Sequence, residues 1–144
     1  MIGIVLAAHD HLAEALKQAA CSVLGEMEHM LAISIDPRDG AQQIQTKFQQ
    51  ATSQVAAQDG VLILTDMFGG TPANIALTLH QEGRIEILTG VNLPMVIKAA
   101  QLSNSGIELH KAAFELKEVG IKAITVAGEL LGGRNHAQES DHGR

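Results

Sequence analysis

The sequence lacks several residue types on which whole classes of protein depend. Its 144 residues include one cysteine, no tryptophan, no tyrosine and three phenylalanines. A single cysteine cannot form an internal disulfide, so we interpret Cys21 as a buried, inert thiol and expect a reducing compartment. Three phenylalanines are too few for the stacking platforms with which many proteins bind single-stranded nucleic acid.

Positive charge and long apolar runs are also scarce. Ten basic residues against sixteen acidic ones give a net charge of −6, which argues against nucleic acid as a partner because such binding needs a basic face. No apolar run approaches the roughly 20 residues of a membrane span, and no basic flank precedes the N-terminal apolar segment as in a signal peptide. We therefore expect a cytoplasmic protein with no membrane insertion.

The apolar residues that are present fall into a regular alternation of strands and helices. Four short runs predict strands, at residues 2–7, 30–35, 61–65 and 85–88. A 3.6-residue period over 12–24 predicts a helix that ends at Gly25, and a second helical period over 41–55 follows a turn at 36–40. This βαβ rhythm predicts a three-layer α/β fold, with a mainly parallel sheet and helices on both faces, and for this sheet we assume the strand order 2-1-3-4.

The last third of the chain gives a less regular pattern. A helix is predicted to start at Ser103 or Asn104 and to stop at Gly120, and residues 121–127 predict a fifth strand without an obvious crossover partner. From residue 132 onward the chain is polar, with too little apolar surface to offset the entropy of ordering. We expect a single domain over residues 1–131 and a flexible tail over 132–144.

Polar residues follow three of the predicted strands. His9 ends the first, Asp66 follows the third, and the fourth leads into Gly90 and a predicted helix start at residues 92–94. In a sheet of order 2-1-3-4 the first and third strands send their helices to opposite faces, and ligands bind in the crevice between such strands. The topology therefore predicts that His9 and Asp66 converge.

A histidine and a carboxylate placed in this way can perform nucleophilic chemistry. A carboxylate that accepts a hydrogen bond from Nδ1–H fixes the tautomer and leaves the lone pair of Nε2 outward. Backbone N–H groups at the helix start after His9 and in the loop Gly69-Gly70-Thr71 could hold the oxygens of a phosphoryl group, with Thr71 as helix N-cap. The pattern thus predicts phosphoryl capture without a metal or another cofactor.

Simpler interpretations of these residues stay open. His9 could be a solvated residue at a strand end, Asp66 could only cap the turn that follows it, and Gly69-Gly70 could be a tight turn. The pair His9 and His11 could suggest a metal site, but a helix is predicted to begin between them, and the other histidines show no shared ligand spacing.

Three blocks of sequence resemble the IIA components of mannose-type sugar phosphotransferase systems. They are the apolar strand ending at His9, the run Thr65-Asp66-Met67-Phe68-Gly69-Gly70-Thr71-Pro72, and the run Gly90-Val91-Asn92-Leu93-Pro94-Met95.

The resemblance implies a phosphocarrier role. His9 would accept phosphate on Nε2 from the histidine-containing phosphocarrier HPr and pass it to a histidine of a IIB component. Asp66 would orient His9, and Gly69, Gly70 and Thr71 would lie beside the phosphate. The resemblance also implies a homodimer whose last strand, at 121–127, crosses to the partner's sheet and runs antiparallel.

Two neighbours of His9 depart from the family pattern. Family members commonly place Ser or Thr before the histidine and Gly after it, whereas this chain has Ala8 and Asp10. Ala8 lacks a hydroxyl donor, and Asp10 either adds negative charge near the incoming phosphate or caps the following helix. We interpret Asp10 as the helix N-cap.

Other functions were weighed against sugar phosphotransfer. A regulatory phospho-switch, in which phosphorylated His9 controls a target protein without sugar transport, fits the sequence equally. The phosphotransfer subunit of dihydroxyacetone kinase fits less well because of the Gly90-to-Met95 block and the absence of fused phosphocarrier domains. A receiver domain would need an acidic pair after the first strand and a lysine after the last, and the chain has neither.

Overall fold

The protein is described here from a computed structural model, which covers residues 1–67 and 70–132. Its strands are β1 Gly3–His9, β2 Met30–Ile35, β3 Val61–Thr65 and β4 Ile85–Leu88. Its helices are α1 Leu12–Leu24, α2 Ala41–Val55, α3 Gly70–Thr78, α4 Leu93–Ser103, α5 Leu109–Lys122 and α6 Ala127–Gly132.

The four strands form one parallel sheet in the order β2-β1-β3-β4. This confirms the predicted α/β class, strand order and strand direction. β1 lies between β2 and β3, with His9 opposite Ile35 on one side and Ala7 opposite Thr65 on the other. The carboxyl ends of these three strands therefore lie at the same edge of the sheet, which we call the carboxyl edge.

Each face of the sheet has its own apolar core. Alternate residues of β1 point to opposite faces: Ile4 and Leu6 pack with the helices α1, α4 and α5, whereas Val5 and Ala7 pack with α2 and α3. Phe48 of α2 is fully buried in the second core. Helix α1, which follows β1, and helix α3, which follows β3, cover opposite faces of the sheet. The connections after these two neighbouring strands therefore lead to opposite faces, as the strand order predicts.

The predicted ends of several helices are confirmed. Gly25 has φ 87° and follows the last residue of α1, a backbone conformation that glycine adopts without steric cost. Asn92 caps α4: its side-chain oxygen accepts a hydrogen bond from the Met95 N–H at 3.1 Å, and Pro94 lies in the first turn.

The predicted helix from Ser103 or Asn104 to Gly120 is wrong at both ends. Ser103 is instead the last residue of α4, where its backbone oxygen accepts from the Ile2 N–H and its hydroxyl donates to the Ile2 oxygen. Gly120 lies inside α5 and packs against Met95, where a Cβ would come within 2.5 Å of the sulfur. Close packing therefore explains this glycine, which does not end the helix.

The predicted fifth strand over residues 121–127 is not formed within the single chain, and it stays a prediction. The segment contains the last residues of α5, a short linker and the first residue of α6, and the N–H groups of Ala123 and Ile124 donate to carbonyls of α5. Ile124 and Val126 are 77% and 65% exposed, so this chain alone leaves these two β-branched side chains largely uncovered.

Two predictions about the C-terminal region stay predictions. Exchange of residues 121–127 between subunits concerns a second copy of the chain. Of the predicted tail at 132–144, all but Gly132 lies outside the described residues, so the domain boundary at 131 and the flexibility of the tail rest on the sequence. Over the described ranges, no helix combines the length and apolarity needed to cross a membrane.

Candidate functional site

His9 is the last residue of β1 and lies at the carboxyl edge. Its backbone N–H donates to Asp66 Oδ2 at 3.0 Å, and its ring Nδ1 lies 2.8 Å from the same oxygen. Because an ionised carboxylate only accepts hydrogen bonds, this contact places the proton on Nδ1 and leaves the lone pair on Nε2. The side chain is 36% exposed, so that a second molecule can approach the ring.

Asp66 directly follows β3, and its carboxylate makes three hydrogen-bond contacts. Besides the two contacts with His9, its Oδ1 accepts a hydrogen bond from the Met67 N–H at 3.0 Å. Burial alone would raise the pKa of Asp66, but the hydrogen bonds from His9 and Met67 and the charge of His9 hold that pKa below its usual range. Asp66 is therefore an anion at neutral pH.

The pairing of the strands explains why these two residues meet. Ala7 of β1 lies opposite Thr65 of β3. Asp66 is the next residue after Thr65, and His9 is the second residue after Ala7, so both lie just beyond this pair on neighbouring strands. The predicted convergence is confirmed. The simpler interpretation of Asp66 as a turn cap also holds, since one carboxylate oxygen serves the Met67 N–H and the other serves His9.

Asp10 does not cap helix α1, and that prediction is wrong. The N-cap position belongs to His11, which makes no capping hydrogen bond through its side chain. Asp10 instead has a left-handed backbone with φ 50°, and its N–H donates to the Ile35 oxygen at 3.3 Å. This bond continues the β1–β2 pairing by one residue, and the left-handed turn, which Asp tolerates, then leads the chain into α1.

The predicted phosphate loop is described only in part. Gly70 has φ 78° and begins α3, so that this helix starts at the carboxyl edge directly beside Asp66. Thr71 lies inside α3 and is not its N-cap, and its side chain lies outside the described part of the structure. Gly69 also lies outside it. Phosphate contacts by Gly69, Gly70 and Thr71 stay a prediction.

The β2–α2 connection carries an ion pair that the sequence interpretation treated only as a turn. Arg38 donates to the Asp36 carboxylate through Nε at 3.1 Å and Nη2 at 2.8 Å. These bonds, with one from the Arg38 backbone N–H, lower the pKa of Asp36 from 3.8 to about 2. One signal for Arg38 was available: no other Lys or Arg occurs in the four strand-to-helix connections at the carboxyl edge, at 10–11, 36–40, 66–69 and 89–92.

Metal-ligating side chains do not cluster at this site. Within residues 1–67 and 70–132, no group of three or more His, Cys, Asp or Glu residues is placed to hold a metal ion. His11, the second member of the His-x-His pair, is 89% exposed and lies 3.8 Å from Glu14.

Comparison with known proteins places this geometry in a family context. Residues 3–114 match the family model described as the PTS system fructose IIA component. The fructose-specific EIIA component of Bacillus subtilis is 30% identical over 132 residues, which cover 91% of this chain and 90% of that protein.

Two further relatives agree with this match. The mannose-specific EIIAB component of Escherichia coli is 32% identical over 128 residues, or 85% of this chain and 39% of that longer protein. Among solved structures, the mannose/sorbose specific IIA subunit from Enterococcus faecalis superimposes with a TM-score of 0.74 at 27% identity, covering 86% of this chain and 92% of that one.

Proposed function

The chain belongs to the mannose family of phosphotransferase-system IIA components, which are phosphotransfer proteins, and on that premise we propose that His9 is its phosphorylated residue. In this proposal, His9 accepts a phosphoryl group from phosphorylated HPr and donates it to a histidine of a IIB component during sugar uptake. The observation that carries the proposal is the 2.8 Å contact between His9 Nδ1 and Asp66 Oδ2.

The contact defines the chemical role of each group. The Nε2 lone pair attacks the phosphorus of the donor phosphohistidine, the donor P–N bond breaks, and its electron pair returns to the donor imidazole. The Nδ1 proton of His9 stays on the ring, and Asp66 stabilises the positive charge that develops there. The second transfer repeats these steps with His9 as donor, so the protein is a phosphotransferase with a phosphohistidine intermediate.

The surroundings of His9 suit the approach of a partner protein. Met67, next to Asp66, is 56% exposed and offers an apolar contact beside the ring. The N-terminus of α3 begins at the same edge, and the positive end of a helix dipole would attract phosphate oxygens. We assign Gly69, Gly70 and Thr71 to this phosphate cradle.

Phosphorylation of purified variants tests the assignment. The protein is incubated with phosphoenolpyruvate, enzyme I and HPr, and acid-labile phosphate is measured. His9→Gln is expected to abolish the label, whereas the matched control His11→Gln, two residues away and 89% exposed, is expected to retain it. Unchanged labelling of His9→Gln would contradict the proposal.

A second assay separates sugar phosphotransfer from a purely regulatory role. The phosphorylated protein is mixed with the IIB component of a mannose-family system. Loss of phosphate from this chain with its appearance on IIB is the expected result. Retention of phosphate by this chain would favour the regulatory phospho-switch.

We further propose that the protein is a homodimer joined through its C-terminal segment, which we define as residues 121–132. A groove of about 500 Å³ lies between β4 and α5, and its lining includes the side chains of Leu88 and Phe114. The Phe114 side chain is 56% exposed, and Val126, which lies in the segment itself, is 65% exposed. Apolar surface of this kind is typical of a contact with a second protein chain.

Sedimentation velocity tests the dimer. Val126→Asp is expected to shift the protein toward monomer, whereas Val23→Asp on α1, where the native side chain is 63% exposed, is expected to leave the dimer intact. A wild-type protein that sediments as a monomer at all concentrations would contradict the proposal.

A further inference from the structure

Phosphorylation of His9 would create an unfavourable concentration of negative charge at the carboxyl edge. The four strand-to-helix connections of this edge hold the carboxylates of Asp10, Asp36, Asp39 and Asp66. The phosphoryl group would add further negative charge on the ring nitrogen opposite Asp66. Arg38 is the one Lys or Arg in these connections, and it therefore is the candidate counterion.

The topology brings the connection that carries Arg38 next to His9. Ile35 lies opposite His9 in the β1–β2 pairing and accepts the Asp10 N–H, and Arg38 follows three residues later. This connection leads to α2, which packs on the sheet face to which Val5 and Ala7 point. By the alternation of β1, the His9 side chain points to that same face.

The electrostatic surroundings of Arg38 agree with this placement. The pKa of the guanidinium is raised first by its hydrogen bond and charge contact with Asp36, and the charges of Asp39 and Asp10 add to the effect. Arg38 is thus within electrostatic reach of the residue that directly follows His9.

The ion pair between Arg38 and Asp36 is weak, whereas the side chain of Lys47 is held by two hydrogen bonds. The Arg38 side chain is 90% exposed, and an ion pair in solvent contributes little to stability. Lys47, by contrast, donates to Asp39 Oδ2 at 2.7 Å and to the backbone carbonyl oxygen of Ser34 at 3.0 Å. These two bonds hold α2 against the connection. The connection stays anchored by Lys47 while the guanidinium is free to exchange partners.

We propose that Arg38 is a phosphate-binding residue: it pairs with Asp36 in the resting protein and transfers to the phosphoryl group when Nε2 of His9 is phosphorylated. The inference rests on the proposed function of His9. A guanidinium can bind two phosphate oxygens at once through its planar fork, which favours phosphate over the exposed carboxylate. Asp36 then acts as the competitor that keeps Arg38 beside the site before the phosphate arrives.

The exchange predicts opposite effects for the two members of the pair. Arg38→Gln removes the phosphate ligand, so phosphorylation slows. Asp36→Asn removes the competing charge and keeps an oxygen for the Arg38 backbone N–H, so phosphorylation is as fast as in the wild type or faster. A merely structural ion pair would instead give the same effect from either side.

Phosphoramidate is the probe, because this small donor requires no docking surface. The Nε2 lone pair attacks its phosphorus, the P–N bond breaks, and the nitrogen leaves with the electron pair as ammonia after taking up a proton. Phosphohistidine formation and hydrolysis are followed by ³¹P NMR on the full chain. The matched control is Arg84→Gln, which removes the same charge just before β4, at the opposite edge of the sheet.

The expected result is that Arg38→Gln slows phosphorylation by about tenfold relative to Arg84→Gln, with faster hydrolysis of the phosphohistidine. In the wild type, the Arg38 Nε–H resonance is expected to shift on phosphorylation. Equal rates for Arg38→Gln and Arg84→Gln, with no shift of this resonance, would overturn the proposal.

One further variant separates this failure from a failure of the proposed function. If His9→Gln keeps every phosphohistidine resonance of the wild type, His9 is not the acceptor and both proposals fail. If His9→Gln loses the signal while Arg38→Gln matches Arg84→Gln, only the role of Arg38 is rejected. Circular dichroism checks that each variant is folded. Because the Arg38 side chain is exposed, its substitution is expected to leave the fold intact.

Discussion

The carboxyl edge of the sheet and the C-terminal segment use their side chains in opposite ways. At the carboxyl edge, polar groups find partners within the same fold, and Asp66 accepts from His9 and Met67. In the C-terminal segment, large apolar side chains face solvent: Leu130 is 71% and Leu131 85% exposed. The contacts of His9 and Asp66 are made within one chain, whereas the segment has the composition of a surface that another chain covers.

The difference shows which positions the fold itself determines. His9 and Asp66 are placed by backbone pairing between strands that are far apart in sequence. The α6 helix contains no buried residue, so no packing within the described part of the chain fixes it.

Asp66→Asn is expected to slow phosphorylation of His9 by about 10²- to 10⁴-fold, the range typical of a lost general-base or orienting group. The amide can accept the Nδ1 hydrogen bond but cannot stabilise a positive ring. Rapid-quench measurement of phosphohistidine formation gives the rate. Glu26→Gln, an exposed position after α1, is the control, and an Asp66→Asn rate within about threefold of this control would remove Asp66 from the mechanism.

The two regions should also differ in their contribution to stability. Phe48 is fully buried, whereas Phe114, beside the C-terminal segment, is 56% exposed. In the background of Val126→Asp, expected to be monomeric, Phe48→Ala should lower the free energy of unfolding by about 3–5 kcal/mol, and Phe114→Ala by less than about 0.5 kcal/mol. Urea denaturation measures both, and similar losses would show that the groove near Phe114 is part of the core.

The pH dependence of stability offers a smaller test at the carboxyl edge. The pKa of Asp66 is lower in the fold than its usual 3.8, so its ionised form stabilises the fold above pH 3.8, and this contribution is lost as the pH falls through the folded value. The wild type is therefore expected to lose its stability advantage over Asp66→Asn below that pH. Urea midpoints between neutral pH and pH 3 measure it, and a constant difference would contradict the lowered pKa.

The smallest expected effect concerns the C-terminal segment. Val126→Asp is expected to leave the rate of phosphorylation by phosphoramidate within about twofold of the wild type, because Val126 is 65% exposed and substitution of an exposed side chain has a small effect on the fold. The ³¹P NMR assay measures this rate. A large decrease would show that the segment supports the site and would end the distinction between the two regions.

The sequence predicted the fold well where hydrophobic pattern and parallel pairing act together. The bounds of β2, β3 and β4 are confirmed, and β1 extends beyond the predicted residue 7 to His9 because its pairing with β2 continues to Ile35. The convergence of His9 and Asp66 followed from strand order alone, since parallel strands bring their carboxyl ends to one edge.

Prediction failed where tertiary contacts or local hydrogen bonds prevail over the pattern. Asp10 has the composition of an N-cap, but its N–H extends a strand pairing and its backbone is left-handed. Gly120 resembles a helix stop, but it is a packing position against Met95. Arg38 has the sequence context of an ordinary turn, because it is exposed and pairs with a carboxylate only two residues away.

We expect phosphate to be carried on Nε2 of His9 while Nδ1–H remains bonded to Asp66. This can be tested by a long-range ¹H–¹⁵N correlation spectrum of the phosphorylated protein, labelled with ¹⁵N-histidine. We expect phosphorus coupling at Nε2 of His9 and a protonated Nδ1. Phosphate on Nδ1, or on any other histidine, would contradict the account.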